Sequence, residues 1–484
     1  MNEEAAHYYE SAEVWARIRD FLGHDSSGKP TCRYLAKGET TELHLHERHP
    51  VRDLEALFDE GTEIARSLWD ETALIADLDV EYVNFDRPAE AFLNPGRAFE
   101  LQRPVEQTII RVLAGYGIRP LHLLSGRGHH FIWQIDQNSP AFRRLTNLGN
   151  GPASLWRTTA EQRSPDGEVV SLQLARAFAG LGQVMEFLAN RVKEVAAPAS
   201  KIPVELTAVE VGPSDRGREM VSLDISEYGD PLPARMLRVP FSVYLKPWQQ
   251  RGLIADEVLD EIRPLFVIPL GDLEVNEALP IMRSGELAAR LAATAKTAIP
   301  DASREMERLI DDYQDSSLGK FHLDFYSQEH EPPERWPETY DRVPLEAWPD
   351  CGRFMIEQPN DLLLRPACIR CVVRILLALG WHPRHIAGFI RSKYERDFGW
   401  TQFTDCDPAA RADFYVRVFA GLFVTGRDDL VDFNCTSAQE QGICFLTDCH
   451  DNLLRFREAA LFRRGNDKLA HRPFNRLLLP TKHS

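Results

Sequence analysis

The run ALIADLDVEYV, residues 73–83, constrains this chain more than any other segment. Its apolar residues read as a strand buried in a sheet, and the period of two along a strand sets Asp77 and Asp79 on the same face. Two carboxylates so close resist simultaneous ionisation, and burying them without a cation is costly. The pair therefore points to divalent ions. A lone Asp-x-Asp also arises at strand ends by chance, so the segments around it must decide its meaning.

Those segments alternate between helical and strand-like patterns. EALFDEGTEIARSLW, VEQTIIRVLAGYG and SLQLARAFAGLGQVMEFLANRV carry apolar residues at helical spacing, whereas LHLLS, HHFIWQI, EMVSLDISEY and RVPFSVYL read as strands. LHLLS and HHFIWQI are separated only by Gly126-Arg127-Gly128, a hairpin signal. The mixture predicts an α+β domain over residues 1–272, with mixed sheets and flanking helices. A helical connector over 273–315 and an acidic, proline-studded linker over 316–349 follow. Residues 350–484 read as a mainly α-helical, cysteine-rich domain.

The 484 residues carry a net charge of −17, unevenly spread. Residues 1–350 hold about −21 and residues 351–484 about +4, so a grip on nucleic acid should lean on the C-terminal end. No stretch approaches the roughly 18 uncharged apolar residues of a membrane-spanning helix. The acidic start MNEEAAHYYE lacks the layout of a secretory signal, and a cytoplasmic protein is expected.

Two further motifs follow the aspartates. In LLSGRGHHFIW a short glycine loop places Ser125, Arg127 and His130 where they could meet a phosphate, although a plain hairpin with a satisfied histidine has the same pattern. In MVSLDISEYGDPLPARMLRVPFSVYLKPW, Asp224 closes an apolar strand-like run and is followed by Arg238, Ser242 and Lys246. Together these three motifs, in this order and spacing, resemble the archaeo-eukaryotic primase (primase-polymerase) superfamily over roughly residues 70–270.

The resemblance implies a template-dependent nucleotidyltransferase that synthesises primers on single-stranded DNA. Asp77, Asp79 and Asp224 would hold two Mg²⁺ or Mn²⁺ ions, while Ser125, Arg127, His130, Arg238, Ser242 and Lys246 would contact the phosphates of incoming NTPs or dNTPs. A helicase or another replication protein would be a natural partner. Two departures stand out. Tyr244 occupies a position where the family usually has histidine, and residues 80–120 lack the cysteines of the family's small-subunit zinc element. The alternatives are a gap-filling repair polymerase of the same superfamily and a non-catalytic nucleic-acid-binding factor.

Seven of the eight cysteines fall at or after residue 351, which in a cytosolic chain suggests metal ligation before disulfides. FNCTSAQEQGICFLTDC supplies Cys435, Cys444 and Cys449, and Cys351 is the favoured fourth ligand, with Cys368 as the alternate. The sequence after Cys351 resembles the start of the iron-sulfur domain of the primase large subunit. That likeness implies a [4Fe-4S] cluster, with Zn²⁺ as the other occupant of four thiolates. Cys371 and Cys406 read as buried free thiols. Arg391, Lys393 and Arg396 on HIAGFIRSKYERDFGW, with the arginines of RFREAALFRR, form either a template-binding surface or an ordinary solvated face. His44, His46 and His49 in HLHERH are a weaker metal candidate.

Overall fold

The computed structural model describes residues 7–37, 47–207, 218–249, 254–357, 361–397, 407–444, 449 and 452–466. It is a mixed α+β structure that divides into two compact units, one built from residues 1–205 and 219–311 and the other from 206–218 and 312–484. No helix among the described residues is long and apolar enough to cross a membrane.

The first unit contains two sheets. One has four antiparallel strands in the order β2 (Glu47–His49), β1 (Leu35–Lys37), β3 (Ile64–Ser67) and β9 (Met236–Arg238). The other has six, in the order β10 (Ile268–Pro269), β5 (Leu121–Ser125), β6 (Gly128–Asp136), β4 (Ala73–Asn84), β8 (Glu219–Asp224) and β7 (Val204–Leu206). The long strand β4 runs antiparallel to β6 on one side and β8 on the other. The helices Pro95–Tyr116 and Leu172–Ala196 pack on β4 and on each other.

Local chemistry explains these boundaries. Ser171 caps the helix Leu172–Ala196 by accepting a hydrogen bond from Leu174 N at 3.1 Å. The helix Pro95–Tyr116 begins on proline and ends at Gly117, whose φ of +89° suits the left-handed cap. The helical pattern of EALFDEGTEIARSLW stops at Asp59, because Gly61 turns the chain at φ +60° and Ile64 opens β3. RVPFSVYL is a strand only as far as Arg238, beyond which Phe241 takes φ +66° and the chain turns away from extended geometry.

The β5–β6 hairpin closes where Ser125 pairs with Gly128. Neither Gly126 nor Arg127 has a positive φ, so the glycines are required by close approach. A Cβ on Gly128 would lie 1.8 Å from Val80 O, and one on Gly126 would lie 2.3 Å from the Tyr244 ring.

Residues 273–311 belong to the first unit instead of forming a separate connector. A parallel bridge joins Asp301 to Gln134 of β6, Ala302 N donates to Gln134 O at 2.9 Å, and Trp133 Nε1 meets Met306 Sδ at 3.3 Å. The division falls within the helix Ser303–Asp315.

Residues 316–349 also differ from the expected linker. They form the helix Ser317–Phe325 and three short turns, Pro333–Glu338, Tyr340–Arg342 and Leu345–Ala347. Their prolines set tight turns, and Trp336, Tyr340 and Trp348 are buried, an apolar content that a solvated linker lacks.

The described part of the second unit from residue 312 onward is helical. Pro366–Leu379, Pro383–Asp397 and Pro408–Val424 pack together, each opened by a proline at its first turn. An ion network ties Pro366–Leu379 to the segment that follows Pro408–Val424: Arg374 meets Asp428 at 2.6 Å and Asp432 at 3.0 Å, and Arg370 meets Asp432 at 2.8 Å. These guanidinium groups hold both carboxyls well below the usual carboxylate range against the opposing effect of burial.

The basic helix Pro383–Asp397 spends its charge internally. Arg396 pairs with Asp341 at 2.7 Å, Arg391 pairs with Glu395 at 2.6 Å, and both arginines lie over the Trp336 ring. Arg463 on Leu453–Asn466 likewise donates to Ala378 O at 2.8 Å.

Replacing Arg374 by methionine leaves the buried Asp428 without its ion-pair partner, while Asp432 keeps Arg370, and should lower stability by about 3–5 kcal/mol at neutral pH. Depressed carboxylates stabilise above their unfolded pKa and lose that contribution as pH falls, so the wild-type advantage should shrink below about pH 4. Denaturant unfolding at pH 7 and pH 3 checks this, and a gap of equal size at both would rule out the ion network as its source.

Candidate active site

Strand β4 carries Asp77, Asp79 and Glu81 on one face by simple alternation. The register supplies the rest of the site. Asp79 lies opposite His130 on β6 and opposite Asp224 on β8, while Glu81 lies opposite Gly128 and Ser222. Residues directly opposite in an antiparallel pair share a face, so three segments far apart in sequence converge on one acidic surface.

His130 Nδ1 lies 3.0 Å from Asp77 Oδ2 and 3.6 Å from Asp79 Oδ1. Burial works against the charge on His130, but Asp79 and Asp77 outweigh it and carry the imidazole up to about 9. Burial pushes Asp79 up, and Glu81, Asp77 and Asp224 add to that push against His130, to about 7. Asp77 Oδ1 and Asp79 Oδ1 are buried and accept no hydrogen bond from the described residues. One imidazolium thus faces several carboxylates, with acceptor positions left over. That surplus is what a divalent cation would satisfy.

The acidic face extends beyond the residues legible in the sequence. β8 ends at Asp224, whose Oδ1 accepts from Ser226 N at 2.9 Å, and the chain then turns through Ser226–Gly229. Asp77 has no strand partner on that side. Tyr228 takes the place of one, its hydroxyl donating to Asp77 O at 2.7 Å and lying 3.2 Å from Asp77 N. Neighbouring Glu227 has a buried Oε1 without a hydrogen bond, and burial followed by Asp77 pushes its carboxyl well above the ordinary range.

The expected phosphate contacts gather beside this face on acidic partners. Arg127 pairs with Glu81, and Lys246 Nζ lies 3.7 Å from Glu81 Oε1. Burial opposes the charge of Glu81, but Arg127 and Lys246 hold it below the usual carboxylate range. Arg238 pairs with Glu63 and lies 4.8 Å from the centre of the Tyr244 ring, whose buried hydroxyl has no partner. Ser125 is buried at the end of β5.

Ser242 stands apart from the expected phosphate contacts. Its fully buried Oγ accepts from Ile64 N at 2.7 Å and lies 3.2 Å from Tyr9 OH, so the hydroxyl is a structural tie to β3 and the N-terminal segment. Glu81 was signalled by its place two residues after Asp79 on the same face. Glu63, Glu227 and Tyr228 carried no comparable signal, because only the fold brings them there.

In the second unit, burial pushes the Cys351 thiol up, and Cys371, Cys444 and Cys449 reinforce the shift. The structure therefore brings Cys371, read from sequence as a core thiol, into the neighbourhood of three expected ligands. Burial and Cys368 push Cys371 up to about 12. Cys435 sits differently: its Sγ accepts from Leu453 N at 3.4 Å and lies 3.7 Å from Asn452 Oδ1. No three cysteine sulfurs among the described residues lie within 4.8 Å of one another. His49 lies on β2 with Nε2 3.4 Å from Glu47, while Cys406, His44 and His46 lie outside the described residues.

No family model, curated protein or solved structure matches this chain.

If the acidic face takes divalent ions, Mn²⁺ at about 100 times its dissociation constant should stabilise the full chain by about 3 kcal/mol. Asp79→Asn should abolish most of that gain. A raised carboxyl favours the fold at low pH, and the benefit is lost as pH climbs from about 4 to about 7. The metal-free variant should therefore match or exceed wild type at pH 8. Thermal melts with and without Mn²⁺ test both statements, and equal Mn²⁺ stabilisation of the two proteins would remove Asp79 from the ligand set.

Proposed function

We propose that the first unit is the catalytic module of a DNA-directed primase-polymerase, a nucleotidyltransferase of the archaeo-eukaryotic primase type. The observation that carries this reading is the register of β4 with β6 and β8, which gathers Asp77, Asp79, Asp224 and His130 on one face beside Arg127 and Lys246. The buried, unsatisfied oxygens of Asp77 and Asp79 fit a divalent metal site. Those two residues and Asp224 would hold Mg²⁺ or Mn²⁺, which would supply activation of a 3′-hydroxyl and neutralisation of the triphosphate.

The reaction forms a bond between the 3′-oxygen and the α-phosphorus of the incoming nucleotide and breaks the bond to pyrophosphate. The hydroxyl proton passes to solvent. His130, beside Asp77 and Asp79, would contact the phosphates of the incoming nucleotide. Arg127 and Lys246 are held beside that face by Glu81, so an arriving triphosphate meets cations already positioned and competes with one carboxylate for them. Arg238 is anchored in the same way by Glu63 and flanked by Tyr244.

The second unit is read as an initiation module with a thiolate-bound centre. Cys351, Cys371, Cys444 and Cys449 are the ligand set favoured by proximity, with Cys435 replaced by Cys371. A single zinc ion would draw its four sulfurs, each at about 2.3 Å from the metal, to about 3.8 Å from one another. The resemblance of this segment to the iron-sulfur domain of the primase large subunit favours a [4Fe-4S] cluster over zinc.

The decisive assay gives the purified chain a single-stranded DNA template, NTPs or dNTPs and Mg²⁺ or Mn²⁺. Chains made without a primer are expected, and Asp77→Ala should reduce them on the order of 100-fold or more. Extension of annealed primers alone would support the repair polymerase, and no product under any of these conditions would leave a nucleic-acid-binding factor. For the second unit, iron and sulfide content with visible charge-transfer absorption should be lost in Cys351→Ser and Cys371→Ser but kept in Cys435→Ser. Loss in Cys435→Ser with retention in Cys371→Ser would restore the ligand set first read from the sequence.

A further inference from the structure

The opposite face of the same hairpin carries a group of side chains that the proposed chemistry leaves unused. His122 on β5 and His129 on β6 are partnered to Phe131 and Leu124 in the strand register, which sets both imidazoles on the face away from His130. Glu106, on the helix Pro95–Tyr116, reaches the same place. One ligand atom from each of Glu106, His122 and His129 lies within 4.8 Å of the others.

We propose that Glu106, His122 and His129 bind one divalent transition-metal ion of the zinc class. Two observations support this. His122 Nε2 and His129 Nδ1 are hydrogen-bonded at 2.9 Å, so a small widening to about 3.3 Å would let both nitrogens reach one tetrahedral ion at about 2.0–2.1 Å. Glu106 is buried, and burial pushes its carboxyl up to about 6 against the charge of Arg103, a cost that a bound cation would offset.

Burial also keeps the two imidazoles neutral, with His122 lowered to about 3, so that their lone pairs are available. Two imidazoles and one carboxylate form a borderline-soft donor set suited to Zn²⁺ and Co²⁺ more than to Mg²⁺. Such an ion would tie the helix Pro95–Tyr116 to the β5–β6 hairpin, whose turn holds Arg127 and whose other face holds His130. It is a structural brace behind the acidic site, chemically distinct from the oxygen-ligated ions proposed in front.

The test uses the full chain, stripped with chelator, reloaded with Zn²⁺, washed with Mg²⁺ and desalted. Wild type should hold one more zinc per chain by elemental analysis than either His122→Phe or Glu106→Gln. Zn²⁺ should raise its melting temperature more than theirs. His122→Phe keeps an aromatic ring over Phe131, which lies 4.2 Å away centroid to centroid, and Glu106→Gln is isosteric, so a folded variant is available even if one fails. Asp77→Asn, run in parallel, should keep the extra zinc, which separates this ion from those of the acidic face. Loading Co²⁺ should give a wild-type-minus-variant spectrum with ligand-field bands and no thiolate charge transfer. Equal zinc content and equal zinc-induced stabilisation in wild type, His122→Phe and Glu106→Gln would overturn the proposal.

Discussion

The pairing of β4 with β6 and β8 is the constraint on which the rest of the first unit depends. A slip of one residue would turn Asp77, Asp79 and Glu81 to the opposite face and separate them from His130 and Asp224. Close approach helps to set that register: Gly128 lets β6 come against Val80, and Gly126 leaves room for Tyr244. The Tyr228 hydroxyl then occupies the position that a continuing β8 would have filled beside Asp77. The acidic face therefore stands at the end of a pairing edge. A strand can hold its side chains there without a neighbouring strand covering them.

This arrangement is costly for the fold. Asp77, Asp79, Asp224 and Glu227 are mutually repulsive, with His130 set against Asp77 and Asp79 and Arg235 acting on Glu227. The sheet tolerates the repulsion because helices Pro95–Tyr116 and Leu172–Ala196 support β4 and because the surrounding positions are apolar and fully buried. Glu81 and Glu63 solve the converse problem, holding Arg127, Lys246 and Arg238 near a face where free guanidinium and ammonium groups would otherwise find other partners. Unlike charges are thus sorted into two adjoining neighbourhoods, one acceptor-rich and one donor-rich. The proposed metal-assisted nucleotidyl transfer would draw on both neighbourhoods.

The sequence revealed the parts of this design that depend on local period. Alternation placed Asp77 and Asp79 on one face, and the hairpin followed from two strand-like runs around a glycine turn. The helices of the second half followed from their apolar spacing. What stayed hidden depends on long-range approach. Ser242 sits inside a motif resembling phosphate-binding segments, yet the turn at Phe241 draws its hydroxyl to Ile64 and Tyr9. Tyr228 and Glu227 matter only because β8 stops where it does. The segment 316–349 looked like a linker by proline and charge, but Trp336, Tyr340 and Trp348 had more apolar surface to bury than a linker needs. Cys371 sits at helical spacing among core residues, and its nearness to Cys351 depends on how separate helices pack.

His129 and His130 show how far environment can divide identical chemistry. They are consecutive in β6, so their rings project from opposite faces of one sheet. His130 meets Asp77 and Asp79, and its imidazole is driven up to about 9, making it a cation at neutral pH. His129 meets His122 and the ring of Phe99, and burial drives it well below its ordinary value, making it a neutral ligand or hydrogen-bond partner. No property of the dipeptide distinguishes the two. The strand period assigns each to a face, and the carboxylates of β4 lie on only one of them. A single strand thereby presents a charged group to the acidic face and a neutral imidazole to the face on which Glu106 and His122 lie. The sheet separates the two electrostatic problems within the thickness of one backbone layer.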